Sequence, residues 1–134
     1  MGLDMYLFRR TQSGDKDVEI MYWRKADAIH NWFVKHGREL SDNGNFVDAD
    51  ALFNLGKIPV DADMMEHLIA DISAVLRDHS IADIVLPAYE YDDIYFDILD
   101  YTLVRLRKLL KDKTIYWGNL TNNIIGDVYY TCWW

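Results

Sequence analysis

The run Tyr89-Glu90-Tyr91-Asp92-Asp93-Ile94-Tyr95-Phe96-Asp97-Ile98-Leu99-Asp100-Tyr101 interleaves five carboxylates with five aromatic rings. From about Asp93 to Lys111 the apolar residues recur at helical spacing, with Tyr95, Ile98, Leu99, Thr102, Leu106, Leu109 and Leu110 on one face and Asp92 or Asp93 as N-cap. Asp93, Asp97 and Asp100 then stand at i, i+4 and i+7 on the opposite face, with successive rises of about 6 and 4.5 Å. Those steps are of the order of the charge spacing along a nucleic-acid strand, whose axial rise is about 3.4 Å per phosphate. Carboxylates so placed imitate a row of phosphates. A protein that grips nucleic acid with lysines and arginines would accept them, and opposite charge would speed the encounter. Glu90, Asp71 and Asp78 add charge of the same sign from neighbouring segments and complete the candidate partner-binding set. A simpler reading competes. Arg107, Lys108 and Lys111 end the same helix, and acids at the start with bases at the end suit the helix dipole by about 0.3–1 kcal/mol per charge. The dipole does not explain why the other segments contribute acids too.

The charge layout favours the first reading. The chain has 134 residues, with 14 Lys and Arg against 22 Asp and Glu, a formal charge of −8. Residues 61–100 hold eleven acids and the single base Arg77, a net of −10, so more than the whole excess lies in that stretch. Such acidity argues against nucleic acid or an anionic membrane as direct partner and for a protein with a basic surface. With 51% hydrophobic and 27% charged residues the composition is that of a globular domain. Its length suits one domain, residues 1–134. The longest uncharged stretch, 114–126, is too short and too polar to cross a bilayer. Asp4, Arg9 and Arg10 interrupt any leader-like apolar run at the start. Cys132 stands alone, which suits a reducing cytoplasm.

A different chemistry would come from Arg24, Asp27 and His30. Asp27 lies one turn before His30 on an expected helix, where a carboxylate orients an imidazole for general-base work, and Arg24 with aromatic neighbours would border the same cleft. That constellation defines the alternative: a small enzyme or nucleotide-binding protein with a cleft near His30. A half-exposed histidine pairing with its own helix explains the same residues. No histidine pair has i, i+4 spacing, no HExxH occurs, and Asp48-Ala49-Asp50 and Asp61-Ala62-Asp63 lack the rest of a calcium loop. The glycines form neither GxGxxG nor a P-loop. Neither a metal nor a cofactor is therefore expected.

The elements that must position these residues read as α+β. Leu3 to Phe8 and Val18 to Trp23 are strand-like runs around the turn residues Ser13-Gly14-Asp15, hence a hairpin. Ile29, Trp32 and Phe33 mark a helix from about Lys25 to His36, with Gly37 as its stop. Asn43 to Pro59 reads as a loop with one turn near Asp50 to Leu55. A second helix begins at Asp63, with Glu66 three residues on in the manner of a capping box, and buries Met65, Leu68, Ile69, Ile72, Val75 and Leu76. Ala82 to Leu86 is an edge strand or a buried connection. After the third helix, strands are expected at Ile115 to Trp117 and at Val128 to Trp134, with turns at Gly118-Asn119 and Asn122-Asn123. The expected architecture is a small antiparallel sheet of N- and C-terminal strands packed against about three helices. Trp133 and Trp134 either close the core or form an apolar patch for a homo-oligomer.

The opening Met1-Gly2-Leu3-Asp4-Met5-Tyr6-Leu7, the segment Tyr22-Trp23-Arg24-Lys25-Ala26 with Ala28-Ile29-His30-Asn31-Trp32-Phe33, and the stretch Tyr91 to Thr102 resemble a group of small uncharacterised bacteriophage and prophage proteins. The likeness leaves residues 37–59 and 61–84 unmatched. It implies a phage gene product acting in the bacterial cytoplasm, and the acidic surface adds the expectation of a host protein as partner. By analogy of class alone, small acidic phage proteins of this kind inhibit host defence, as anti-CRISPR and anti-restriction proteins that copy DNA charge do.

Overall fold

Apolar Met5 and Leu7 alternate with the rings of Tyr6 and Phe8 along β1 (Asp4–Arg9) in the computed structural model, which describes residues 3–11, 13–14, 16–42 and 56–133. The chain turns back through Gly14, whose φ of +73° suits a residue without Cβ. It returns as β2 (Val18–Arg24), antiparallel to β1 with Asp4 opposite Arg24 and Tyr6 opposite Tyr22. The last strand, β6 (Val128–Trp133), pairs with the other side of β1. A two-residue strand, β3 (Ile58–Pro59), pairs with β6, so the antiparallel sheet runs β2-β1-β6-β3. N- and C-terminal strands thus share one sheet, and the fold is α+β.

One face of the sheet carries the core. Met5, Leu7, Met21, Trp23, Val128, Tyr130 and Cys132 are buried there against the helices. From α1 (Asp27–Asp42), Phe33 stacks on Tyr130 with ring centroids 4.1 Å apart, and Trp23 meets Phe33 edge-on. α2 (Ala62–Arg77) buries Met65, Leu68, Ile72 and Val75 and packs along α4 (Asp93–Lys111). Each such side chain contributes about 1.5–3 kcal/mol on leaving water. A 3-10 turn (His79–Ile81) and the short α3 (Ala82–Val85) join those two helices. Beyond α4, β4 (Gly118–Asn119) and β5 (Ile124–Ile125) form a separate hairpin. A Cβ on Gly118 would lie 2.5 Å from the Gly126 nitrogen and the Ile124 carbonyl, so this pairing requires glycine.

Several sequence expectations are corrected. The first helix does not stop at Gly37 but runs to Asp42: a glycine stop needs left-handed backbone, and Gly37 stays buried within the helix without it. The cap of α2 is Asp61, two residues before the expected Asp63, because the Asp61 backbone is extended and its carboxylate accepts from Met64 N at 2.9 Å. Ala82 to Leu86 is mainly helical, closed by Leu86 N donating to the Ala82 carbonyl. Ile115 to Trp117 is no strand. Ile115 is apolar because it plugs the core, and pairing falls instead at Gly118–Asn119, expected as a turn. Only one tail strand therefore joins the main sheet. The fourth place goes to β3, hidden in the sequence because Pro59 reads as a breaker, although an edge strand tolerates a residue without N–H. The expected turn near Asp50 to Leu55, the Asp48-Ala49-Asp50 pair and Trp134 lie outside the described residues.

Three polar side chains tie the layers together. Asp61 is only 3% exposed, and while one carboxylate oxygen caps α2 the other accepts from Leu120 N at 2.9 Å, joining the helix start to the segment after β4. On the far side, Tyr101 Oη donates to the Tyr22 carbonyl at 3.0 Å and an Arg105 guanidinium nitrogen to the Ile20 carbonyl at 3.1 Å, so α4 takes up free acceptors of the edge strand β2. Replacing Asp61 by Ala removes a cap and leaves a buried N–H unsatisfied. Urea unfolding is expected to show a loss of about 2–4 kcal/mol, with Asp61→Asn, which keeps one acceptor oxygen, losing roughly half of that.

Candidate functional site

The facing of α4 decides what the molecule shows to solvent. Its N-terminus is held by Asp92, whose carboxylate accepts from Tyr95 N at 3.0 Å. Its rotation is held by the buried Thr102, which accepts from Trp23 Nε1 at 2.8 Å and donates to the Ile98 carbonyl at 2.7 Å. Tyr95 Oη adds a bond to the Leu86 carbonyl, and burial raises that hydroxyl's pKa to about 12. With Tyr95, Leu99, Thr102, Leu106 and Leu109 turned inward, Asp93, Asp97 and Asp100 face outward as a stripe. Glu90, on the loop before the helix, is exposed as well. None of these four carboxylates has a hydrogen-bond or ion-pair partner among the described residues.

The two other acids of the expected set are engaged locally. Asp78 accepts from Ser80 N and Ser80 Oγ, bonds that hold its pKa below the usual value. Its turn adjoins α4 because the His79 ring stacks on Phe96 at 3.9 Å. Asp71 is half-buried, and its carboxylate accepts from Trp32 Nε1 at 2.9 Å. The candidate surface is therefore centred on Glu90, Asp93, Asp97 and Asp100, with Asp78 at its flank and Asp71 turned toward α1.

Apolar groups lie among the acids. Tyr89 is 95% exposed, with its backbone N–H held by the Asp27 carboxylate at 3.0 Å. Ile94 is 67% exposed, and Tyr101 and Val104 continue the apolar positions along α4. The last three are legible in the sequence as apolar residues outside the leucine sector of the helix. At the head of the stripe a recess of about 190 Å³ opens between the starts of α1 and α4, bounded by Lys25, Asp27, Glu90, Ile94 and Tyr95. Carboxylates thus stand beside exposed rings and branched side chains on this surface.

Arg24, Asp27 and His30 do not meet in a cleft. Arg24 ends β2 opposite Asp4 on the sheet face away from α1. Asp27 lines the recess, but neither Arg24 nor His30 does. His30 Nδ1 shares a 2.6 Å hydrogen bond with the buried Tyr130 hydroxyl. Burial lowers the His30 pKa, only partly offset by the nearby Asp27, and burial raises that of Tyr130. Burial thus favours the neutral form of each, with His30 half-buried at the border of the core and Tyr130 inside it.

Among the described residues no helix is long and apolar enough to cross a membrane, and no group of three or more His, Cys, Asp or Glu is placed to hold a metal ion. No protein-family model, curated protein or solved structure matches the chain, so its surface must be read from its own geometry.

The His30 environment makes stability depend on pH. Because the folded state depresses its pKa, the unfolded chain binds the proton first as pH falls through 6.5. The contribution of neutral His30 is complete above that value and is lost below it. Urea unfolding at pH 7.5 and 5.5 is expected to show wild type losing ground relative to His30→Asn on acidification. A difference between the two that does not change with pH would contradict this account.

Proposed function

We propose that the protein is a binding domain without catalytic chemistry of its own, and that its acidic stripe occupies a basic, nucleic-acid-gripping surface on another protein. The observation that carries this reading is the set of four outward, unpaired carboxylates at Glu90, Asp93, Asp97 and Asp100, spaced along one helix and the loop before it. Unpaired carboxylates retain their full attraction for an incoming guanidinium or ammonium group, and the long-range field of residues 61–100 steers such a surface toward them. Tyr89, Ile94 and Tyr101 supply the ring and branched contacts that give a protein interface its persistence once the charges have aligned it. The resemblance to small phage proteins gives this reading its setting: a host protein in the bacterial cytoplasm, with nucleic-acid-handling defence enzymes the class best fitted to a phosphate-like stripe.

The test uses the immobilised chain and a bacterial lysate. A captured protein should be released by duplex DNA and by raising salt from about 50 to about 300 mM, over which the screening length falls from roughly 14 to 6 Å. Asp93→Lys combined with Asp97→Lys should abolish capture while leaving the unfolding midpoint close to that of wild type, since both positions are exposed. Capture that survives both the double substitution and competing DNA would remove the stripe from consideration.

A further inference from the structure

The helices cover one face of the four-stranded sheet, and the other carries an aromatic surface. Register places Arg24, Asp4 and Trp133 in one row across β2, β1 and β6, with Tyr22, Tyr6 and Thr131 in the next and Glu19, Phe8 and Tyr129 in the third. The rings follow one another closely: Tyr22 to Tyr6 at 5.2 Å, Tyr6 to Phe8 at 5.3 Å and Phe8 to Tyr129 at 5.8 Å between centroids. Trp133, at the end of β6, and Tyr22 are exposed, Tyr6 and Phe8 are half-buried, and Tyr129, only 4% exposed, lies beneath Arg10 and Lys57 at the border of the row. An antiparallel sheet that faces water ordinarily presents polar side chains there, and a contiguous ring surface marks a place where something docks.

Charge selects the occupant. Around these rings Asp4, Asp17 and Glu19 are matched by Arg10, Arg24 and Lys57, with Arg10 and Lys57 lying 4.7 and 5.0 Å from the Tyr129 centroid and Asp17 accepting from the Tyr129 hydroxyl. These three acids and three bases offset one another, leaving no net positive charge among them. A single-stranded nucleic acid would find rings to stack on but no net positive groove to hold its backbone. A second copy of this chain is repelled from the acidic helices, because each copy carries −8, and meets no such field at the sheet. With two sheets packed about 10 Å apart, the acidic helices lie behind them on opposite sides, beyond the screening length of about 8 Å at physiological salt.

We infer that this sheet face is the interface between two copies of the chain, related by a two-fold axis. Arg24 has no hydrogen-bond or ion-pair partner among the described residues, whereas Asp4 uses one carboxylate oxygen for the Tyr22 hydroxyl. Asp4 and Arg24 are cross-strand neighbours, so in a two-fold arrangement each Arg24 meets the Asp4 of the other copy, twice per dimer. Such a dimer turns both acidic stripes outward.

Sedimentation equilibrium of the full chain between about 5 and 500 µM tests the inference. The mean mass should rise from 15.8 kDa toward twice that value. Tyr6→Lys, and separately Arg24→Asp, should each weaken association by tenfold or more while circular dichroism stays native. Asp4→Arg combined with Arg24→Asp should restore part of it. A mass fixed at 15.8 kDa throughout would overturn the inference. So would association indifferent to both single substitutions, or an oligothymidylate probe that binds the monomer and is lost in Tyr6→Lys.

Discussion

The surface of this molecule depends on one buried hydrogen bond, from the Trp23 indole to the Thr102 hydroxyl. Thr102 lies in the middle of α4 with no exposed area, and the buried Trp23 indole N–H left there without its acceptor would cost about 1–3 kcal/mol. A turn of α4 by one residue, about 100°, would break that bond, pull the leucines off α2 and carry aspartates toward the core. Because Trp23 is itself fixed by Phe33 and Tyr130, the stack at the centre of the sheet is joined to the helix that carries the outer stripe by this buried polar link. The acids face outward because an indole and a threonine face inward.

The parts of the fold legible in the sequence were those in which one physical signal acted alone. The extent of α4 followed from an unbroken leucine sector and an aspartate cap, and β1, β2 and β6 followed from alternation and strand-forming residues. The misread places were those where tertiary context overrode a local signal. Gly37 carries a stop signal that packing cancels, Pro59 a breaker signal that an edge position tolerates, and Ile115 a strand signal that comes from burial. Asp61 and Asp63 are the same residue type two positions apart, and the first is singled out by its extended backbone, its bond to Met64 N and the position of Leu120 N, 59 residues on.

At the surface, sequence showed the stripe but not what each carboxylate does. Asp71 and Asp97 are alike on a helical wheel as polar residues outside an apolar sector. One reaches a tryptophan on a neighbouring helix and the other reaches only water, a difference fixed by where α1 lies. His30 and Asp27 share a helix flank as expected, yet the groups that engage them, Tyr130 and the Tyr89 backbone, are 100 and 62 residues away. The aromatic sheet face is not legible in the sequence for a related reason: its rings come from three strands, and alternation within each strand does not reveal that they lie side by side.

The side chains of α4 that reach β2 have one more consequence. A strand at the border of a sheet is an open template, able to recruit an extended peptide or the same strand of another molecule. Here the acceptors at Ile20 and Tyr22 are already occupied by Arg105 and Tyr101, and the opposite border, β3, is two residues long. Growth by strand addition is thereby blocked along one margin and given little length along the other. The chain is left to meet other molecules through its broad faces, helical or aromatic, and the same arrangement protects a domain rich in tyrosine and tryptophan from edge-to-edge aggregation.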